Sequence, residues 1–221
     1  AFIISILRTV VGTITHLFFT AMTAYAWSKK HLLGRNFFLG LGTFTMFFNG
    51  GLIPGFINLK NLQLLDTFWV YIIPTMFNFF NLIIFTSFFR TIPESLEESA
   101  FIDGAHEGII FTKIILPLSG PVLATIALFQ GVWHWNDFFM GVVFVNSREL
   151  EPIQTYLYRI ITSGSVNTQM SATPAAIRSN AVNSTSLRLA TMIVVTFPIM
   201  CVYPFLQKYF VQGMTVGSVK G

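Results

Sequence analysis

Five of the nine carboxylates in this 221-residue chain, Glu94, Glu97, Glu98, Asp103 and Glu107, fall in one short stretch between two long apolar runs. Such a charged, helix-prone island is either a solvated spacer or a docking element through which a soluble partner acts on membrane helices. Metal chemistry is a further possibility, because His106-Glu107 opens like the H-E-x-x-H zinc helix. Ile110 stands where the second histidine belongs, so that reading fails. A second cluster, Trp133-His134-Trp135-Asn136-Asp137, mixes aromatic faces with hydrogen-bonding groups inside an apolar run. It reads either as pathway lining or as an interfacial aromatic belt with helix-breaking polar groups. Asn49, Asn78 and Asn81 also sit in apolar surroundings, where interhelical hydrogen bonding competes with pathway lining. No Ser/His/Asp constellation stands out. An intramembrane enzyme would have only His134 and Asp137 to work with, and an ion-driven carrier should show repeated halves and buried charged pairs, neither of which is visible. His16 reads as a satisfied packing residue and Arg8 as a side chain that snorkels outward.

The elements that carry these residues belong to a membrane protein. Hydrophobic residues make up 53% of the chain and charged residues 10%, with mean hydropathy +0.67. A soluble domain carries about 25% charged residues. The net charge of +4 comes from basic residues scattered singly or flanking apolar spans, which fits a lipid surface and not nucleic acid. Cys201 is the sole cysteine, so no internal disulfide can form.

A crossing helix needs about 20 residues. Five candidate spans result, at 2–27, 37–59, 67–89, 118–145 and 187–209, in an all-α integral membrane protein with one transmembrane domain over 1–221. The second is broken near Asn49-Gly50-Gly51 and Pro54, and the third is expected to kink at Pro74. Residues 90–117 form the acidic loop, and 146–186 form a polar loop region that opens with an amphipathic piece at 153–161. The dense Lys29-Lys30-His31 flank favours a cytoplasmic 29–35 loop, which puts the acidic loop on the same side. Trp133 then lies roughly 20 Å along the fourth span, past the bilayer midplane.

Pro93 suits a first helical turn, and Glu94, Glu97 and Glu98 complement the positive end of its dipole. A helix over 93–103 stopping at Gly104, then a second over 105–113, gives an elbow at the membrane surface. Ser99, Ala100, Gly104 and Ala105 are small enough for another surface to approach the backbone.

The spacing Glu98-Ser99-Ala100, three residues, Gly104, nine residues, Ile114, one residue, Leu116-Pro117 resembles the cytoplasmic signature loop of ATP-binding-cassette importer permeases, E-A-A-x3-G-x9-I-x-L-P. Ser99 for the middle alanine is the one departure. Glu94-Ser95-Leu96-Glu97-Glu98 and the closing Tyr203-Pro204-Phe205-Leu206 look like the carbohydrate-uptake branch, and within it permeases for oligosaccharides or polysaccharide fragments. The resemblance covers essentially the whole chain and implies a type I importer bundle of six spans, the sixth preceding Ala1. It also implies a bacterial cytoplasmic (inner) membrane location and a set of partners: a second permease, two cytoplasmic ATPase subunits, an extracytoplasmic solute-binding protein and a saccharide. Glu98, Ser99, Ala100, Asp103, Gly104 and Ala105 would be the ATPase contacts. A sugar pathway would explain the Trp133–Asp137 mixture, since indole faces stack on sugar C–H surfaces. The chain contains no G-x-x-x-x-G-K-[ST] phosphate loop, so ATP and Mg would sit on the partner, and no cofactor is expected here.

Overall fold

A computed structural model describes residues 1–170 together with 189–190, 192–193, 195–198 and 200–201. Its regular structure is entirely helical among the described residues. Helix α1, Phe2–Ser28, is the one described helix that is long and apolar enough to cross a membrane alone. Its buried face is the polar one: Ser5, Arg8, Gly12, His16, Thr20 and Ala24 recur every three or four residues. Ile3, Leu7, Val10, Ile14 and Phe18 face outward. This inverts the soluble pattern because lipid solvates the apolar side, so polar and small residues find their partners between helices.

The second apolar run forms α2, Arg35–Phe47, and α3, Leu52–Asn61, which meet at 112°. Gly51 makes the corner at φ +88°, and its N–H donates to Asn49 Oδ1 at 3.0 Å. The break falls where the sequence put it, but the sharp angle makes this a bent pair and not one straight rod. The third run begins with 3-10 turns at Phe68–Tyr71 and Ile73–Thr75 and becomes α4, Phe79–Phe89, only after a 50° change of direction. Pro74 alone does not cause this. The Asn78 side chain accepts from Asn81 N–H and caps α4, which starts a new helix there.

Helices α5, Glu94–Ile102, and α6, Glu107–Ile110, form the elbow; a π turn over Phe111–Ile115 and the short α7, Leu116–Leu118, complete it. Pro117 lacks an N–H and crowds the preceding turn, and the Leu116 N–H reaches back to Phe111 O, which widens the helix. After an 80° bend at Ser119, α8 runs Gly120–Asn136. The fourth apolar run was expected to continue unbroken to 145. Instead it stops at Asp137, whose Oδ1 accepts the Met140 N–H, and resumes as α9, Phe139–Phe144. The amphipathic piece at 153–161 extends into α10, Ile153–Met170. Counting each bent pair as one gives up to four spans among the described residues. The expected span at 187–209 lies mostly outside them.

Helix α1 packs chiefly on α8 and α4. One apolar core, around Phe85, Ile110, Ile115 and Ile126, joins α4 and α8 to the elbow. A second, around Tyr71, Ile72 and Met140, lies at the other end. There Asp66 ties two loops together, its carboxylate accepting from the N–H groups of Asn146 and Ser147 at 3.0 and 2.8 Å.

Candidate functional site

The end of α5 shows why the signature needs its small residues. Ala105 N–H donates to Ala100 O at 2.9 Å, and Gly104 N–H donates to Phe101 O at 3.0 Å. These are the two bonds of a Schellman cap, which requires a left-handed residue between them. Gly104 supplies it at φ +82°. Ala100 and Ala105, the positions that touch across such a cap, both pack on the core beneath. The spacing Ala100-x3-Gly104 is therefore a helix stop anchored on the bundle.

The other side of the elbow is held by cations at the end of α1. Lys29 Nζ bonds Glu97, and lies 3.2 Å from Glu107 Oε2. Tyr25 Oη donates to the same Glu107 oxygen at 2.6 Å, with Lys29 standing over the Tyr25 ring. One ammonium thus holds both arms of the elbow. Partial burial would lower the Lys29 pKa, yet the bonds to Glu97, Tyr25 and Glu107 outweigh it and leave it raised. Lys30 adds a pair to Glu94 at 2.6 Å. The 29–35 loop and the acidic loop therefore share one end of the bundle, as the sequence suggested.

With Glu94 and Glu97 engaged, the outer face at the end of α5 is open. Glu98, Ser99, Asp103 and Gly104 are exposed, while Ala100 and Ala105 are half-buried. Ser99 Oγ donates to Ser95 O at 2.8 Å, and the Glu98 carboxylate accepts no hydrogen bond among the described residues. A Cβ on Gly104 would meet nothing within 4 Å. Ile102, 87% exposed, projects beside it. An apolar side chain this bare on a short polar helix is suited to cover by another protein.

The interior carries the second cluster. Arg8 is not a snorkelling side chain: it is fully buried, and its guanidinium pairs with Asp137 at 2.6 Å, side-chain exposures being 0% and 11%. It also donates to the Asp137 carbonyl at 3.2 Å and lies 4.6 Å from the Tyr71 ring centre. A buried charged pair, absent from the sequence reading, is therefore present. The signal was the polar stripe Arg8, Gly12, His16, Thr20 on one face of α1; its partner lies 129 residues away. His16 is the satisfied packing group expected, with Nδ1 2.7 Å from Thr75 O and Nε2 2.9 Å from Asn81 Nδ2. His134 is buried against Gly12, where a Cβ would stand 2.3 Å from Nε2.

The remaining candidates divide by exposure. Trp135 is buried and donates to Val195 O at 3.0 Å. Asn81 is buried on His16, and Asn78 is spent on its cap. Trp133 and Asn136 are exposed on α8, with Gln154 donating to Asn136 Oδ1 at 3.3 Å. Asn49 is exposed at the α2–α3 corner, far along the chain from the Trp133 cluster. No group of three His, Cys, Asp or Glu side chains among the described residues is placed to hold a metal.

A family model described as a binding-protein-dependent transport system inner membrane component matches residues 1–216. The chain belongs to that family. Protein LplC of Bacillus subtilis (strain 168) is 47% identical over 99% of this chain and 73% of its own length. The polygalacturonan/rhamnogalacturonan transport system permease protein YtcP of the same organism is 42% identical over 99% of this chain and 76% of its own. The crystal structure of a bacterial ABC transporter involved in the import of the acidic polysaccharide alginate superposes with TM-score 0.83 at 34% identity, covering 95% of this chain and 74% of that one. This binding-protein-dependent component is thus an inner-membrane ABC permease subunit with the all-helical type I importer fold, and not itself an enzyme. Membership implies a second permease, an ATPase that hydrolyses the nucleotide, and a solute-binding protein.

Proposed function

We propose that this permease forms half of the translocation pathway for an oligosaccharide, and that the 98–117 loop seats in a cytoplasmic ATPase. Two ATPase subunits holding ATP and Mg, and a second, different permease, complete the assembly, with the 90–117 loop facing the cytoplasm. The 146–186 region faces the solute-binding protein on the opposite side. The observation that carries the reading is the elbow itself: its inner face is locked on Lys29 and Lys30, while Glu98, Gly104 and Ile102 are left bare. Closure of the ATPases would draw the elbow inward, and the Lys29 brace would hand that movement to α1. The saccharide reading is supported by relatives named for polygalacturonan, rhamnogalacturonan and alginate. Trp133 and Asn136 are the best placed of the candidate lining residues, because their side chains are exposed on α8.

The test is Gly104→Arg beside Gly104→Ala. A Cβ at this position meets nothing within 4 Å among the described residues, so both variants should insert in the membrane. Alanine pays only for the left-handed backbone, about 1–2 kcal/mol. Arginine adds bulk where the ATPase would sit, and should abolish oligosaccharide uptake and ATPase co-purification. Normal uptake by the arginine variant would refute the docking role.

A further inference from the structure

A basin of about 410 Å3 opens at the elbow end of the bundle, between the last residues of α1 and α4 and the first of α2 and α5. Four cations line it, Lys29, Lys30, Arg35 and Arg90, against two carboxylates, Glu94 and Glu97. Lys30 and Lys29 already neutralise those carboxylates. Arg35 and Arg90 have no carboxylate partner among the described residues, so the basin keeps a surplus of two positive charges. Arg35 Nε is shut off from water and lacks a hydrogen-bond partner, so the rest of its guanidinium is the part that can meet an anion in the basin.

The surroundings say what kind of anion fits. Arg35 is the first residue of α2, a 13-residue helix with no side-chain cap and no acid in its first turn, so its leading N–H groups are also unmatched. No residue of α2 is buried, and Phe37, Phe38, Leu41 and Phe44 are all exposed along it. A charged basin thus stands at the head of a bare apolar helix, which suits a molecule with an anionic head and apolar tails. Such basic pockets between helices at the cytoplasmic surface suit anionic lipid heads.

We propose that this basin binds the phosphate of an anionic phospholipid, with Arg35 and Arg90 as its ligands and the acyl chains lying along α2. The inference rests on the proposed placement of this end at the cytoplasmic surface. An occupied basin would brace the start of α2 against the hinge between α4 and the elbow, so lipid charge would bear on coupling.

The complete permease–ATPase complex, reconstituted in phosphatidylcholine vesicles, is probed with spin-labelled phosphatidylglycerol and spin-labelled phosphatidylcholine. The immobilised fraction of each reports selectivity. Wild type should prefer phosphatidylglycerol, and Arg35→Gln with Arg90→Gln should weaken that preference about fivefold per arginine. Arg35→Lys with Arg90→Lys should keep most of it, which separates charge from misfolding. Displacement of the labelled lipid by millimolar inorganic phosphate would point to a free anion and overturn the lipid assignment. Unchanged selectivity in the double glutamine variant would overturn the site altogether. Gly104→Arg should retain lipid preference while losing uptake, so the docking role and the lipid site fail separately.

Discussion

Removing the Asp137 carboxylate is the sharpest perturbation this bundle offers. Arg8 is fully buried, and its side chain has three partners: the Asp137 carboxylate, the Asp137 carbonyl and the Tyr71 ring. Asp137→Ala leaves the carbonyl and the ring, the latter contributing about 0.5–2 kcal/mol, facing an uncompensated charge. Breaking one partner of such a pair costs about 3–5 kcal/mol, or roughly two to three and a half powers of ten in the folding equilibrium. Replacing both, as Arg8→Met with Asp137→Leu, removes the orphaned charge and should recover most of the loss. Thermal unfolding of the purified transporter in detergent reads the stability of all three proteins, and uptake in vesicles reads their function. The single variant should unfold well below wild type, with the double variant near it. Equal stability of single and double variants would refute the idea that the pair is a buried unit clamping α1 to α8. A double variant that is stable yet fails to transport would give Asp137 a role toward the solute.

Two further outcomes follow from local geometry. Gly12→Ala places a Cβ 2.3 Å from His134 Nε2, so the imidazole must leave its seat between α1 and α8. The overpacking cost is about 1–3 kcal/mol, visible as a lowered unfolding temperature, whereas alanine at Gly40, which has nothing within 4 Å, should be tolerated. At the elbow, the bond from Lys30 holds the Glu94 carboxyl below the usual carboxylate range. That pair is intact above the ordinary carboxylate pKa and is lost as pH falls through the depressed value. Amide exchange in α5 should therefore speed up beyond the intrinsic rate change only once the pH falls below the ordinary carboxylate pKa, and Glu94→Gln should already show the faster exchange near neutrality.

Local chemistry was legible in the residues, and long-range pairing was not. Glu98-Ser99-Ala100-x3-Gly104 announces a helix that stops on a left-handed glycine, and Gly104 does so at φ +82°. The Asn49-Gly50-Gly51 corner was readable for the same reason, since glycine and an Asx turn act over two residues. Arg8 defeated the reading because snorkelling is the default for a lone cation in an apolar run, and its partner enters from a helix 129 residues later. The breaks at Asn78 and Asp137 escaped because a side chain that accepts a backbone N–H three residues on, and not a proline or glycine, marks each of them. Hydropathy alone saw continuous apolar runs there. Among the pathway candidates, Asn81, Trp135 and Asp137 turned out to bond within the bundle, and Trp133 and Asn136 to stand free of the core.

The widened turn at Phe111–Ile115 makes the connection between elbow and α8 a universal joint more than a pushrod. The Leu116 N–H already reaches five residues back and Pro117 has no N–H to offer, and the chain turns by 80° at Ser119 before α8 begins. Helix α8 is 17 residues long, about 25 Å, and a small rotation at its base sweeps a larger arc at its tip. That tip carries Trp133, so under the proposed docking role a turn of the elbow at the base of α8 would be felt at Trp133.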